Sequence, residues 1–123
     1  MGRSDWAWVY DPQSGGERIA PLLQDQVSKR LMQHAAKIVP GKEGWLRLRF
    51  HGKFCYVDAQ KPGVPVLTHL CRLRYLGKPD RWSLAFYTYS NERYEPCLFD
   101  SGRWEGTPEK ALEIGVMYIA GER

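Results

Sequence analysis

Apolar residues recur at three- and four-residue steps near both ends of the chain and at every second residue in between. The first helical stripe is Ile19, Leu22, Leu23, Val27, Leu31, Ala35 and Ile38, which predicts a helix over 17–38. Pro21 suits its first turn, where a missing N–H costs nothing, and Pro40-Gly41 stop it. The second helix is predicted over 107–120, with Thr107 as N-cap, Pro108 next and Glu109 favourable to the dipole. Lys110 stands where a full capping box wants Glu, so that signature is partial. Ala111, Leu112, Gly115, Val116 and Ile119 supply its buried side, and Gly121 ends it.

Between the helices the period is two. Residues 45–50 (WLRLRF) and 53–58 (KFCYVD) flank His51-Gly52, a gap suited to a tight hairpin turn. In that register Phe50 faces Lys53, Leu48 faces Cys55 and Leu46 faces Val57 on one side. Arg49 with Phe54, Arg47 with Tyr56 and Trp45 with Asp58 fall on the other. The stretch 59–66 (AQKPGVPV) is a loop; further strands are predicted at 70–76, at 82–89 and, more weakly because Pro96 opens it, at 96–99. Ser90–Glu95 reads as a wide turn in which Arg93 pairs with a neighbouring glutamate. The expected fold is α+β: an antiparallel meander of four to five strands flanked in sequence by an N-terminal and a C-terminal helix. The 123 residues make one domain, extended over 1–16, helical over 17–39, stranded over 45–99 and helical again over 107–120. Trp6, Trp8 and Tyr10 alternate with small residues, which suggests an edge strand able to cover part of the sheet.

Composition narrows the class. Aromatics at 13% argue against a disordered chain, and no apolar run reaches the roughly 18 residues of a membrane span. No secretory leader is recognisable, so a cytoplasmic domain with no membrane contact is expected. Cys55, Cys71 and Cys97 share no close spacing, and His34, His51 and His69 are scattered, so reduced thiols and no metal are expected. The net charge is +4, but residues 41–80 carry eight Lys/Arg against three Asp/Glu. A basic middle suits contact with an anion, though a solubilising surface has the same signature.

If both helices cover Leu46, Leu48, Val57, Leu73, Leu84 and Phe86, the opposite face carries Trp45, Arg47, Arg49, Phe54, Tyr56, Arg72, Arg74, Tyr87 and Tyr89. Four arginines among five aromatics are the residues enriched at interface centres, which points to a protein partner or a homodimer. The same set also suits a single-stranded nucleic acid, with bases stacked on rings and phosphates held by Arg. A third account needs no partner: arginines lying over neighbouring rings as cross-strand cation–π pairs. The helix–strand–helix order compares with double-stranded RNA-binding domains in topology only, because Glu105 and Glu109 would repel phosphate at the start of the last helix.

Catalytic candidates are weak. His51 is expected in a tight turn; His34 lies near a helix C-terminus, where the dipole favours a charged ring. His69, two residues before Cys71, is expected to share its face, but alternation buries that thiol. Glu92 and Glu95, with Asp58 or Asp100, lack a spacing that forces them together, and no nucleotide, hydrolase or metalloprotease motif occurs. The expectation is a binding domain with no catalytic residues, metal or cofactor; a small hydrolase or nuclease is the remote alternative.

Overall fold

A computed structural model describes residues 14–121; the aromatic stretch 6–10 lies outside the described residues. The elements are α1 (Pro21–Ile38), a 3₁₀ turn (Glu43–Trp45), β1 (Leu46–His51), β2 (Phe54–Ala59), β3 (Thr68–Lys78), β4 (Arg81–Thr88), β5 (Arg93–Cys97), β6 (Glu105–Gly106), α2 (Pro108–Gly115) and α3 (Met117–Ala120). Every strand pairing is antiparallel, in the spatial order β1-β2-β3-β4-β5. The two-residue β6 lies beside Trp82 and Ser83 of β4. The fold is therefore α+β, an antiparallel meander between helices.

Both helices pack on one face of the sheet. Val27, Leu31 and Ala35 of α1 and Ala111 and Leu112 of α2 are fully buried with Cys55, Val57, Cys71, Leu73 and Trp82. Each large aliphatic side chain so buried contributes about 1.5–3 kcal/mol. Leu22, expected on the stripe, is 71% exposed. Helix α1 begins at Pro21 rather than at residue 17 because the preceding backbone serves the sheet. Glu17 N–H donates to Tyr75 O and Ile19 N–H to Gly52 O, both at 2.9 Å. A three-way contact ties the helices to the β3–β4 turn: Arg30 Nε and Nη2 donate to the two Glu109 carboxylate oxygens at 2.7 Å, and Nη2 also reaches Asp80.

The hairpin register differs from the expected one. Leu46 faces Ala59, Leu48 faces Val57, Phe50 faces Cys55 and His51 faces Phe54, so the loop is Gly52-Lys53 and His51 ends β1. Gly52 has φ 59°, and placing it first in the two-residue loop lets its missing Cβ absorb the left-handed backbone. The shift is by two residues, so each side chain keeps its face.

The fifth strand runs over 93–97, not 96–99. It is an edge strand, and Pro96, which has no N–H to donate, fits within it opposite Ala85. Arg93 Nε lies 3.3 Å from Glu95 Oε2, as the sequence suggested. The last helix is broken in two at Val116. Thr107 Oγ1 accepts from Lys110 N–H at 3.2 Å, which supplies the cap. Gly115 packs against Cys71, where a Cβ would run into the sulfur.

Candidate functional site

Cross-strand registers place Arg49, Phe54, Tyr56, Arg72 and Tyr87 on the sheet face opposite the helices, with Arg47 exposed along β1 and Tyr89 just past the end of β4. They form a ladder of stacked groups. The Arg49 guanidinium lies 4.2 Å over the Tyr56 ring; that of Arg72 lies 4.3 Å over Phe54 and 5.0 Å over Tyr94. Arg47 Nη1 donates to the carbonyls of Gly44 and Leu46. Among the described residues no carboxylate pairs with Arg47 or Arg49.

Two expected members do not belong. Trp45 sits in the 3₁₀ turn before β1, half-buried against the edge of the core, with Lys42 Nζ 5.7 Å over its ring. The register shift sets Arg47, not Trp45, opposite Asp58, and the 3₁₀ turn keeps Trp45 out of β1. Arg74 lies on the correct face but is only 2% exposed. Its Nε donates to Ser83 Oγ at 3.1 Å, and Gly16 crosses directly over its side-chain methylenes.

Two residues that alternation did not select, His69 and Tyr94, join the face beside Asp58, which it did place there. The pairing of β2 with β3 shifts between Val57 and Asp58: Val57 faces Cys71, but Asp58 faces His69. Leu70 is the extra residue of this bulge and is 1% exposed, so Leu70 and Cys71 both turn inward. His69 is thereby sent to the face opposite Cys71, and the two cannot act as a pair. Instead His69 Nδ1 lies 2.9 Å from Oδ1 of Asp58, whose side chain is 3% exposed. A carboxylate can only accept, so Nδ1 carries the proton. Nε2 has no protein partner among the described residues, and the His69 side chain is 38% exposed.

The second is Tyr94. Its ring lies 4.9 Å from Tyr87, 5.5 Å from Tyr56 and 6.4 Å from His69. Tyr56 is on β2 and Tyr94 on β5. At about 4.8 Å per strand a flat sheet would separate those backbones by roughly 14 Å. Their contact shows that the face is concave and that the rings lean across it. Burial pushes the Tyr94 hydroxyl pKa up, and the Asp58 carboxylate adds to the effect. The polar stretch 90–95 suggests a turn, whereas the alternation Arg93, Tyr94, Glu95 is the signal that β5 starts at Arg93.

Two of the other titratable candidates are engaged elsewhere. His34 Nε2 lies 2.7 Å from Glu113 on α2. Glu95 Oε2 accepts from Thr88, Asn91 and Arg93, which holds that carboxyl below its ordinary range. No group of three potential metal ligands occurs among the described residues. Burial pushes the Cys55 thiol up to about 12 and the Cys71 thiol well above its ordinary value. No helix among the described residues is long and apolar enough to cross a membrane.

The class this geometry defines is a small α+β domain with a concave, basic, aromatic sheet face. No family model, curated protein or solved structure matches the chain.

Proposed function

We propose that the protein is a non-catalytic interaction module that docks an acidic protein surface on the concave face of its sheet. The observation that carries this is the charge placement. Arg47 and Arg49 lie exposed on that face, while Asp58 is withdrawn beneath it and Glu109 and Glu113 are on a helix packed against the other side. A homodimer through this face would set arginines against arginines, which favours a foreign, acidic partner. Stacked guanidiniums are desolvated on one side and already ordered, so they lose little entropy when they meet carboxylates. They also cover ring faces that bare base stacking would use, which ranks single-stranded nucleic acid second.

The test is fluorescence anisotropy with a labelled polyglutamate peptide and with labelled single-stranded RNA and DNA, at about 50 and 200 mM salt. The exposed double variant Arg47→Ala/Arg49→Ala runs beside the unaltered chain. Peptide binding that weakens with salt and is lost in the variant supports the proposal. Oligonucleotide binding with no peptide binding replaces it with the nucleic-acid reading. If neither binds, while sedimentation shows a dimer that the variant dissolves, the face is a homodimer contact. If nothing binds and the chain is monomeric, the arginines serve only the sheet and the proposal falls.

A further inference from the structure

Strand β1 lies at an edge of the sheet, with no partner strand on its outer side among the described residues. The loop Gly52-Lys53 makes His51 and Phe54 a pair that exchanges both backbone hydrogen bonds, and the exchange recurs at every second residue. Gln60 N–H donating to Trp45 O at 2.8 Å continues the same phase. Residues 47, 49 and 51 therefore turn their backbone groups toward β2, and 46, 48 and 50 turn theirs outward. Leu46 is already engaged: its N–H donates to Glu43 O and its carbonyl accepts from Arg47 Nη1. At the hairpin end, Gly52 O accepts from Ile19 N–H. The N–H and C=O groups of Leu48 and Phe50 are left open, without a hydrogen-bond partner among the described residues.

An open edge is a template for another extended chain unless something guards it. The far edge is guarded, because Pro96 within β5 offers no donor. β1 contains no proline, and its register with β2 runs without a bulge. Its side chains instead set conditions on what can pair there. Leu48 and Phe50 are half-buried against the core on the helix side, and Arg47 and Arg49 are exposed on the concave side. A second copy of β1, added antiparallel so that Leu48 meets Phe50, would set Arg49 directly against Arg49, which is destabilising. A strand that alternates apolar and acidic residues satisfies both faces at once.

We infer that the edge of β1 takes a short antiparallel strand of the acidic partner, hydrogen-bonded to Leu48 and Phe50, with an acidic residue beside Arg49 and an apolar residue on either side of it. The partner's chemistry rests on the docking reading; the strand pairing says how its chain is held. The probe is the peptide acetyl-Glu-Val-Glu-Val-Glu-amide, titrated into the ¹⁵N-labelled full chain and followed by NMR. Two isomers run beside it. One is N-methylated at both Val residues, whose N–H groups would point at β1; the other is N-methylated at the central Glu, whose N–H would point away. Saturable binding is expected, with the fast-exchanging amides of Leu48 and Phe50 becoming protected. The Val-methylated isomer should bind about tenfold more weakly, the loss expected for two hydrogen bonds, and the Glu-methylated isomer within about twofold of the parent.

Equal binding of the three peptides, a loss confined to the Glu-methylated one, or no saturable binding overturns the inference. Protection of the Leu48 and Phe50 amides in the free chain overturns it as well, because the edge is then already filled, by a second copy if sedimentation shows a dimer. Every arm uses the unaltered chain, so none depends on a variant folding. Polyglutamate binding with no effect of Val methylation would retain the acidic-partner reading and retire the strand pairing. A methylation-sensitive peptide with no polyglutamate binding would retain the strand pairing and retire docking on the concave face.

Discussion

His69 Nδ1 and Asp58 Oδ1 stand 2.9 Å apart across the β2–β3 bulge, and the carboxylate beneath is almost wholly withdrawn from water. Removing the imidazole leaves a buried acceptor without its donor. His69→Ala should therefore lower unfolding free energy by about 1–3 kcal/mol, and adding Asp58→Asn should recover part of it. Urea denaturation of both variants gives the numbers. Full additivity of the two substitutions would show that the contact contributes nothing.

Arg30 sets a pH dependence. The hydrogen bond it gives Glu109 holds that carboxyl below its ordinary value of 4.5, against an opposing effect of burial. A depressed folded-state pKa contributes stability above the unfolded value, and that contribution disappears as pH falls through the folded one. Glu109→Gln should cost about 1 kcal/mol near neutrality, an amount in keeping with a half-exposed bidentate pair. Below pH 4.5, as the pH falls through the lowered folded-state value, the gap between the two proteins should close. A gap that stays constant across that range would separate the stability from the ionisation.

Thiol chemistry reports the core. Burial raises Cys55 and Cys71 far above neutral pH, while Cys97 is half-buried and raised less. In the folded protein at pH 8 a maleimide should label Cys97 first and leave the other two until the chain unfolds. Peptide mass spectrometry identifies the order; early labelling of Cys71 would contradict its position under α2.

Gly115 and Cys71 are a second diagnostic pair. A Cβ at position 115 collides with the Cys71 sulfur in a packed core. Gly115→Ala should cost about 1–3 kcal/mol despite the better helix propensity of Ala. Cys71→Ala in the same chain should relieve most of that strain, which thermal melts of the single and double variants will resolve.

Much of this architecture was legible in the residues. The stripe Val27, Leu31, Ala35 marked the buried side of α1, and Thr107-Pro108 marked the start of α2. Alternation in LRLRF and CYV sorted the core face from the arginine face even though the hairpin register was placed two residues off. Faces survive an even shift, because side chains alternate with a period of two. Local geometry therefore determined the element order and most of the ladder, from Arg49 and Tyr56 to Arg72 and Tyr87.

What local periodicity does not encode is where it breaks. The bulge at Leu70 re-aimed His69 and created its pair with Asp58; nothing in THLCRL marks that extra residue, because its position is set by the strand opposite. The curl of the sheet brought Tyr94 across to Tyr56, and the Gly16 segment closed over Arg74. Each depends on packing between residues distant in sequence, so the chain's own pattern settled the faces while the tertiary fold decided which side chains on them meet.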